Sequence, residues 1–176
     1  FELTDIPLIK RISKTKKPII ISTGMASLKE IEEAVKILKG KNKFIILYCV
    51  TNYPANFEDF NLYNIKILQK KFGCFVGLSD HSNDKSIAAI SVVMGAKIFE
   101  KHIALKNQPK SFDYDFSLKG KEINDFSITI NKTWKAIQKG KYKVSKSQGL
   151  MKKFRRSIFI TKDVFKNEII SKENIK

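Results

Sequence analysis

The amino-acid sequence predicts an α/β fold and, more specifically, half of a (β/α)8 barrel. Apolar β-type stretches alternate along the chain with segments of helical periodicity. The strand candidates are continuous apolar runs, which is typical of a parallel sheet covered on both faces. Polar residues cluster after the strands, and the sequence lacks the glycine-rich phosphate loops that an open doubly wound sheet usually carries.

The predicted elements follow one another in a regular order. Phe1 and Glu2 are predicted to end a strand, and a helix follows from about Asp5 to Ser13. Ser27 begins the next helix and forms a capping box with the residue three positions later. Further strands are predicted at 18–23, 44–49, 75–78 and 97–100, and further helices at about 62–72, 84–94 and 121–139.

Polar side chains follow each predicted strand, and no comparable group precedes one. Ligands bind at the carboxyl ends of parallel strands, so these residues are the candidate site. They are Glu2, Ser22, Thr23, Thr51, Asn52, Tyr53, Ser79, Asp80, His81, Glu100, Lys101 and His102.

The two histidines of the chain occupy equivalent positions. His81 and His102 each close a predicted strand, and a single helical segment separates these strands. A strand, a crossover helix and a second parallel strand would place the two imidazoles side by side. Neutral imidazole is the commonest transition-metal ligand, although a lone histidine is more often a hydrogen-bonded core or loop residue.

Composition excludes several classes of protein. Hydrophobic residues make up 43%, with 13 Phe, but no apolar run approaches the roughly 20 residues of a membrane helix. Cys49 and Cys74 are isolated, which favours packing roles and a reducing, cytoplasmic location. The net charge of +17 comes mostly from dispersed lysines, so we expect neither a nucleic-acid nor a membrane partner. A lysine-driven nucleic-acid binder remains an alternative with steep salt dependence.

The ends of the chain suggest a fragment. The sequence opens on Phe1 without a methionine and stops at Lys176, where a strand or helix would be beginning. We therefore expect an internal piece of a longer protein.

Four motifs, in this order and at this spacing, resemble the sialic acid synthases, which include N-acetylneuraminate, legionaminate and pseudaminate synthases. The motifs are the stretches at 18–26, 49–54, 76–81 and 100–102. The resemblance covers essentially the whole chain. It implies the last half of a (β/α)8 barrel over residues 1–139, a linker at 140–153 and the start of a small antifreeze-like domain at 154–176.

The resemblance also implies chemistry. Members of this family condense phosphoenolpyruvate with an N-acetylated amino sugar, aided by a divalent metal, typically manganese(II), on histidines that match His81 and His102. Glu2 matches a glutamate that serves as base or electrostatic stabiliser, and Tyr53 would wall the sugar pocket. Hydrogen bonds to phosphate, carboxylate or sugar hydroxyls would come from Ser22, Thr51, Asn52 and Ser79.

One loop departs from the neuraminate pattern. Those enzymes carry Gly-Pro-Asp-His after the last strand, whereas here only the aspartate is kept, as Asp113, which is expected to bind the sugar. The departure favours the pseudaminate branch and a 2,4-diacetamido-2,4,6-trideoxyhexose, with a neuraminate or legionaminate synthase as the alternative. Arg156 matches an arginine that reaches the active site of the other subunit in a homodimer. A barrel homologue that binds sugar without catalysis is the alternative from another class.

Overall fold

The computed structural model describes residues 2–107, 112–137 and 142–176, which form two compact units, Phe1–Gln138 and Lys139–Lys176. The first unit alternates strands and helices as the sequence predicts. Its helices are α1 (Ile6–Ser13), α2 (Leu28–Leu38), α3 (Asn64–Phe72), α4 (Lys85–Met94) and α5 (Lys121–Ala136). Its strands are β1 (Ile19–Ser22), β2 (Phe44–Cys49), β3 (Phe75–Asp80), β4 (Phe99–Lys101), β5 (Ile103–Ala104) and β6 (Leu118–Lys119).

The main sheet is parallel, and its strands lie in chain order, β1-β2-β3-β4. Each strand therefore pairs with its predecessor through a crossover helix, which is the arrangement of a barrel. The strand register pairs Ser22 with Leu47, Cys49 with Ser79, and Asp80 with Lys101. The carboxyl ends of the strands thus meet at one edge, as predicted.

Local signals account for the helix boundaries. Asp5 caps α1 by accepting a hydrogen bond from Leu8 N, and Ser27 and Glu30 form the predicted capping box of α2. Gly73 adopts the left-handed conformation that ends α3. One hydrophobic core packs the helices onto the sheet; it includes Ile9, Val35, Leu38, Ile46, Ile65, Val76, Leu78 and Ile87.

The prediction that Glu2 ends a strand is wrong. Glu2 begins a short 3-10 helix, Glu2–Thr4, whose turn is closed by Asp5 N donating to the Glu2 carbonyl. Because Asp5 also caps α1, the chain turns here instead of running extended.

Beyond β4 the chain forms a second, smaller pairing that the sequence does not predict. Strands β5 and β6 are parallel and pair Ile103 with Leu118. Helix α5 follows and ends at Ala136, before the predicted end at Lys139, which lies outside the described residues.

The second unit contains helix α6 (Lys146–Leu150), a 3-10 helix (Met151–Phe154) and an antiparallel bridge between Ile160 and Ile175. Much of the segment predicted as a linker is thus helical. The assignment of residues 154–176 to the start of an antifreeze-like domain stays a prediction. In the described parts of both units, no helix is long and apolar enough to cross a membrane.

Gly77, in the middle of β3, is the position where the sheet tolerates no side chain. A Cβ there would fall on the Ile98 carbonyl oxygen and against Leu47 Cδ2. We expect Gly77→Ala to lower the free energy of unfolding of the full-length protein by about 1–3 kcal/mol through overpacking.

Urea unfolding followed by circular dichroism measures this change. Gly149→Ala is the matched control, because nothing lies within 4 Å of a Cβ at Gly149, which sits in helix α6. The control should be neutral or stabilising by up to about 1 kcal/mol. Equal stability of the two variants would contradict the close approach at Gly77.

Candidate active site

His81 and His102 lie side by side at the carboxyl ends of β3 and β4. Their ring centroids are 5.2 Å apart, with planes inclined at 56°. The adjacency expected from the strand, helix and strand order is therefore confirmed.

Each imidazole is oriented through its Nδ1 atom. His81 Nδ1 lies 3.1 Å from the Val50 carbonyl oxygen, and His102 Nδ1 lies 3.3 Å from Asp113 Oδ2. Histidines that bind metals usually donate one ring N–H to a carbonyl or a carboxylate, which leaves the other nitrogen for the metal. The geometry matches that pattern at both rings and assigns Nε2 as the free nitrogen.

The environment of His81 favours its neutral form. Burial lowers the pKa of His81, the Val50 carbonyl opposes this shift, and the neighbouring His102 adds to the lowering. A neutral imidazole has a lone pair to offer a cation. Near neutral pH His81 is therefore in the state that binding a metal requires.

Two aromatic rings complete a four-ring cluster with the histidines. Tyr53 lies 4.4 Å from His81, and Phe116 lies 5.1 Å from His102, between ring centroids. The Tyr53 and Phe116 rings are 5.4 Å apart. Tyr53 is 46% exposed whereas Phe116 is buried, so Tyr53 forms the solvent side of the cluster. Burial is the largest of the effects that raise the pKa of Tyr53, so its phenol stays protonated.

Polar residues on β3 and β4 meet as successive cross-strand pairs. Ser79 Oγ donates a 2.7 Å hydrogen bond to Glu100 Oε1. In the next pair, Lys101 Nζ lies 3.3 Å from Asp80 Oδ2. The Ser79 hydroxyl proton is thus already used, so toward a ligand this oxygen is an acceptor.

The end of β2 borders the same cluster. Cys49 Sγ lies 3.8 Å from His81 Nδ1 and 3.9 Å from Thr51 Oγ1. Burial raises the pKa of the Cys49 thiol, which is therefore a protonated packing group instead of a reactive thiolate. Thr23 Oγ1 accepts a hydrogen bond from Cys49 N and ties the ends of β1 and β2 together.

The remaining predicted residues are more dispersed. Ser22 ends β1, and exposed Asn52 donates a 3.3 Å hydrogen bond to Asp59 Oδ2 within its own loop. Glu2 is exposed at the start of the first unit, outside the four-ring cluster. Arg156 is exposed in the second unit. The catalytic and binding roles of all these residues stay predictions.

Glu100, one of the predicted strand-end candidates, is the partner of Ser79. One member of the site was not singled out from the sequence. Phe116 contacts both histidine rings, but a phenylalanine in a loop carries no signal of such a contact. Asp113, predicted to bind sugar, is brought to His102.

The residues available to hold a metal are the two histidines. Across residues 2–107, 112–137 and 142–176, no group of three or more His, Cys, Asp or Glu side chains has the geometry to hold one. Among the described residues, a cation here would therefore be held by His81 and His102.

The sequence of this chain is similar to the sequences of known synthases. The chain is 37% identical over 179 residues to the N,N'-diacetyllegionaminic acid synthase of Campylobacter jejuni, covering 99% of this chain and 54% of that protein. It is 36% identical over 178 residues to a pseudaminic acid synthase of the same species, covering 100% of this chain and 52% of the relative. The chain thus spans about half the length of the curated relatives it matches.

The fold of this chain is also similar to that of a solved synthetase. The crystal structure of an N-acetylneuraminic acid (sialic acid) synthetase from Leptospira borgpetersenii superposes with a TM-score of 0.79 at 33% identity. The match covers 88% of this chain and 54% of the other, so the parallel sheet is a curled half-barrel of the kind found there. The model of the NeuB family matches residues 1–142, and the chain therefore belongs to the NeuB family.

Proposed function

We propose that this chain supplies half of the active site of a nonulosonic acid synthase. The reaction joins the methylene carbon of phosphoenolpyruvate to the aldehyde carbon of a 2,4-diacetamido-2,4,6-trideoxyhexose, after which water adds and phosphate leaves. The observation that carries the proposal is the pair of oriented imidazoles, His81 and His102, at the carboxyl edge of the sheet. The names of the synthases that the chain resembles support the class of product.

The residues present fit a divalent cation, for which we propose manganese(II). Ring centroids 5.2 Å apart are close enough for two imidazoles to share one ion, since metal to nitrogen bonds are about 2.1 Å long. His81 and His102 would hold the ion, which would supply Lewis acidity toward the sugar aldehyde. The partners at Nδ1 fix both rings in the required tautomer.

Other side chains would bind and orient the substrates. Ser22, Thr51 and Asn52 are proposed to donate hydrogen bonds to phosphate, carboxylate or sugar hydroxyls. Ser79 is proposed to accept one from a sugar hydroxyl while its own O–H donates to Glu100. Tyr53 and Phe116 would wall the pocket and exclude water beside the histidines. Glu2 remains the proposed base or electrostatic stabiliser.

The proposal extends to the assembly. We propose a homodimer in which residues 154–176 begin an antifreeze-like domain, and in which Arg156 reaches the active site of the other subunit. A guanidinium there would donate two parallel hydrogen bonds to polar groups of the substrate.

The sugar is the part of the proposal with a close competitor. Asp113 in place of the complete Gly-Pro-Asp-His motif favours the pseudaminate branch. Identities of 37% to a legionaminic acid synthase and 36% to a pseudaminic acid synthase favour neither. A legionaminate synthase is therefore the second candidate.

The metal proposal predicts the behaviour of two variants. In the full-length protein, His81→Ala and His102→Ala should each weaken manganese(II) binding by more than about 100-fold and abolish most turnover, because each removes one of two protein ligands. Electron paramagnetic resonance of free manganese measures the affinity.

Asn83→Ala is the control, since Asn83 is exposed and lies two residues from His81. It should keep the affinity of the wild type. If both histidine variants bound manganese as tightly as the control, the proposed metal site would be wrong.

The sugar proposal predicts a preference. The full-length protein should use 2,4-diacetamido-2,4,6-trideoxy-altrose with a kcat/KM at least about 100-fold above that for N-acetylmannosamine, because a site built for the 4-acetamido group leaves polar partners unpaired without it. Steady-state release of phosphate measures both values. Better use of the 2,4-diacetamido-2,4,6-trideoxy-mannose epimer would move the assignment to the legionaminate branch.

Asp113 gives a second test of sugar recognition. Asp113→Ala should raise the KM for sugar more than the KM for phosphoenolpyruvate, since Asp113 lies beside the His102 ring. Asp115→Ala is the matched control, because Asp115 is an exposed carboxylate two residues away in the same loop. Equal effects of Asp113→Ala on both substrates would count against a role in sugar use.

A further inference from the structure

We propose that Asp80 and Lys101 are positioning residues that fix the placement of His81 relative to His102, an inference that rests on the proposed function of the two histidines. Asp80 directly precedes His81, and Lys101 directly precedes His102. Their side chains form an ion pair, with Lys101 Nζ 3.3 Å from Asp80 Oδ2. Both side chains are buried, with exposed fractions of 1% for Asp80 and 6% for Lys101.

Lys101 holds both neighbours of His81. Its ammonium contacts the Asp80 carboxylate and also donates a hydrogen bond to the Ser82 carbonyl. The other carboxylate oxygen, Asp80 Oδ1, accepts hydrogen bonds from Ser82 N at 2.8 Å and Ser82 Oγ at 2.7 Å. The backbone on either side of His81 is therefore fixed to the residue that precedes His102.

The histidines need such a link because the sheet ends just before them. Pairing of β3 with β4 stops at Asp80 and Lys101. The His81 carbonyl then accepts from Ala55 N, whereas the His102 carbonyl accepts from Leu118 N, so each backbone turns to a different neighbour. The ion pair occupies the last position at which the two strands are still joined.

An ion pair is a costly way to provide stability alone. Burying two charges loses their hydration, and apolar pairs of similar volume often give equal or greater stability. Charge and hydrogen bonding, however, fix separation and direction more tightly than apolar contact does. Because the ion pair lies next to both proposed ligands, we infer that its role is to fix the relative positions of the two histidines.

The test separates positioning from stability in the full-length protein. Lys101→Met alone leaves a buried carboxylate unpaired and should destabilise the fold. The double variant Asp80→Asn with Lys101→Met removes both charges, and the amide oxygen of the new side chain still accepts from Ser82. We expect the double variant to recover stability toward the wild type in urea unfolding.

The positioning role predicts that manganese affinity does not recover with stability. Electron paramagnetic resonance should show binding about 10–100-fold weaker in the double variant, the range seen when the groups that orient metal ligands are lost. The matched control removes another ion pair of the same unit, Glu32→Gln with Lys71→Met, between helices α2 and α3. That control should bind manganese as the wild type does.

A second measurement makes the result independent of the metal. Crystal structures of the metal-free proteins should show the two imidazole centroids displaced from their 5.2 Å separation in the Asp80 and Lys101 double variant, and unchanged in the control. If the wild type itself binds no manganese, the proposed function is wrong. The ring separation then still tests whether Asp80 and Lys101 position the histidines. A stable double variant with wild-type ring separation would overturn the inference, as would one with wild-type affinity.

Discussion

The candidate site depends on the parallel register between β3 and β4. Because both strands run in the same direction, successive residues of one meet successive residues of the other, first Ser79 with Glu100 and then Asp80 with Lys101. The histidines follow directly. Gly77 allows this register, since it lets the Ile98 backbone approach where any side chain would intrude. A shift of one residue would separate every one of these pairs.

Charge around the site contrasts with charge over the whole chain. The chain carries a net charge of +17, which favours the approach of anions. Near the histidines, however, stand several carboxylates, among them Glu100 beside Ser79 and Asp113 beside His102. A basic exterior suits the anionic phosphoenolpyruvate that we propose as substrate, and a locally acidic centre suits the proposed cation.

The sequence predicted most of the fold because its signals are local. Apolar runs and caps located β2 and α2, and the crossover rule placed the histidines side by side. Strand β3 extends beyond its predicted end at Leu78, since Ser79 and Asp80 find polar partners on β4 that no local pattern reveals. Two-residue strands such as β5 are too short to show periodicity, and the contact of Phe116 with the rings depends on how its loop folds back. The burial of Asp80 with Lys101 likewise depends on tertiary partners.

The short pairing of β5 with β6 holds the base of the loop that carries Asp113 and Phe116. The loop between them begins after Ala104, at the end of β5, and ends at Leu118, the first residue of β6. The Leu118 N–H donates to the His102 carbonyl. The base of this loop is therefore anchored to the backbone beside a proposed metal ligand, while Asp113 and Phe116 lie within it. Because this anchor is made by backbone hydrogen bonds, it does not depend on the side chains of the loop. In the function that we propose, the loop sequence can therefore set the choice of sugar separately from the backbone that places His102.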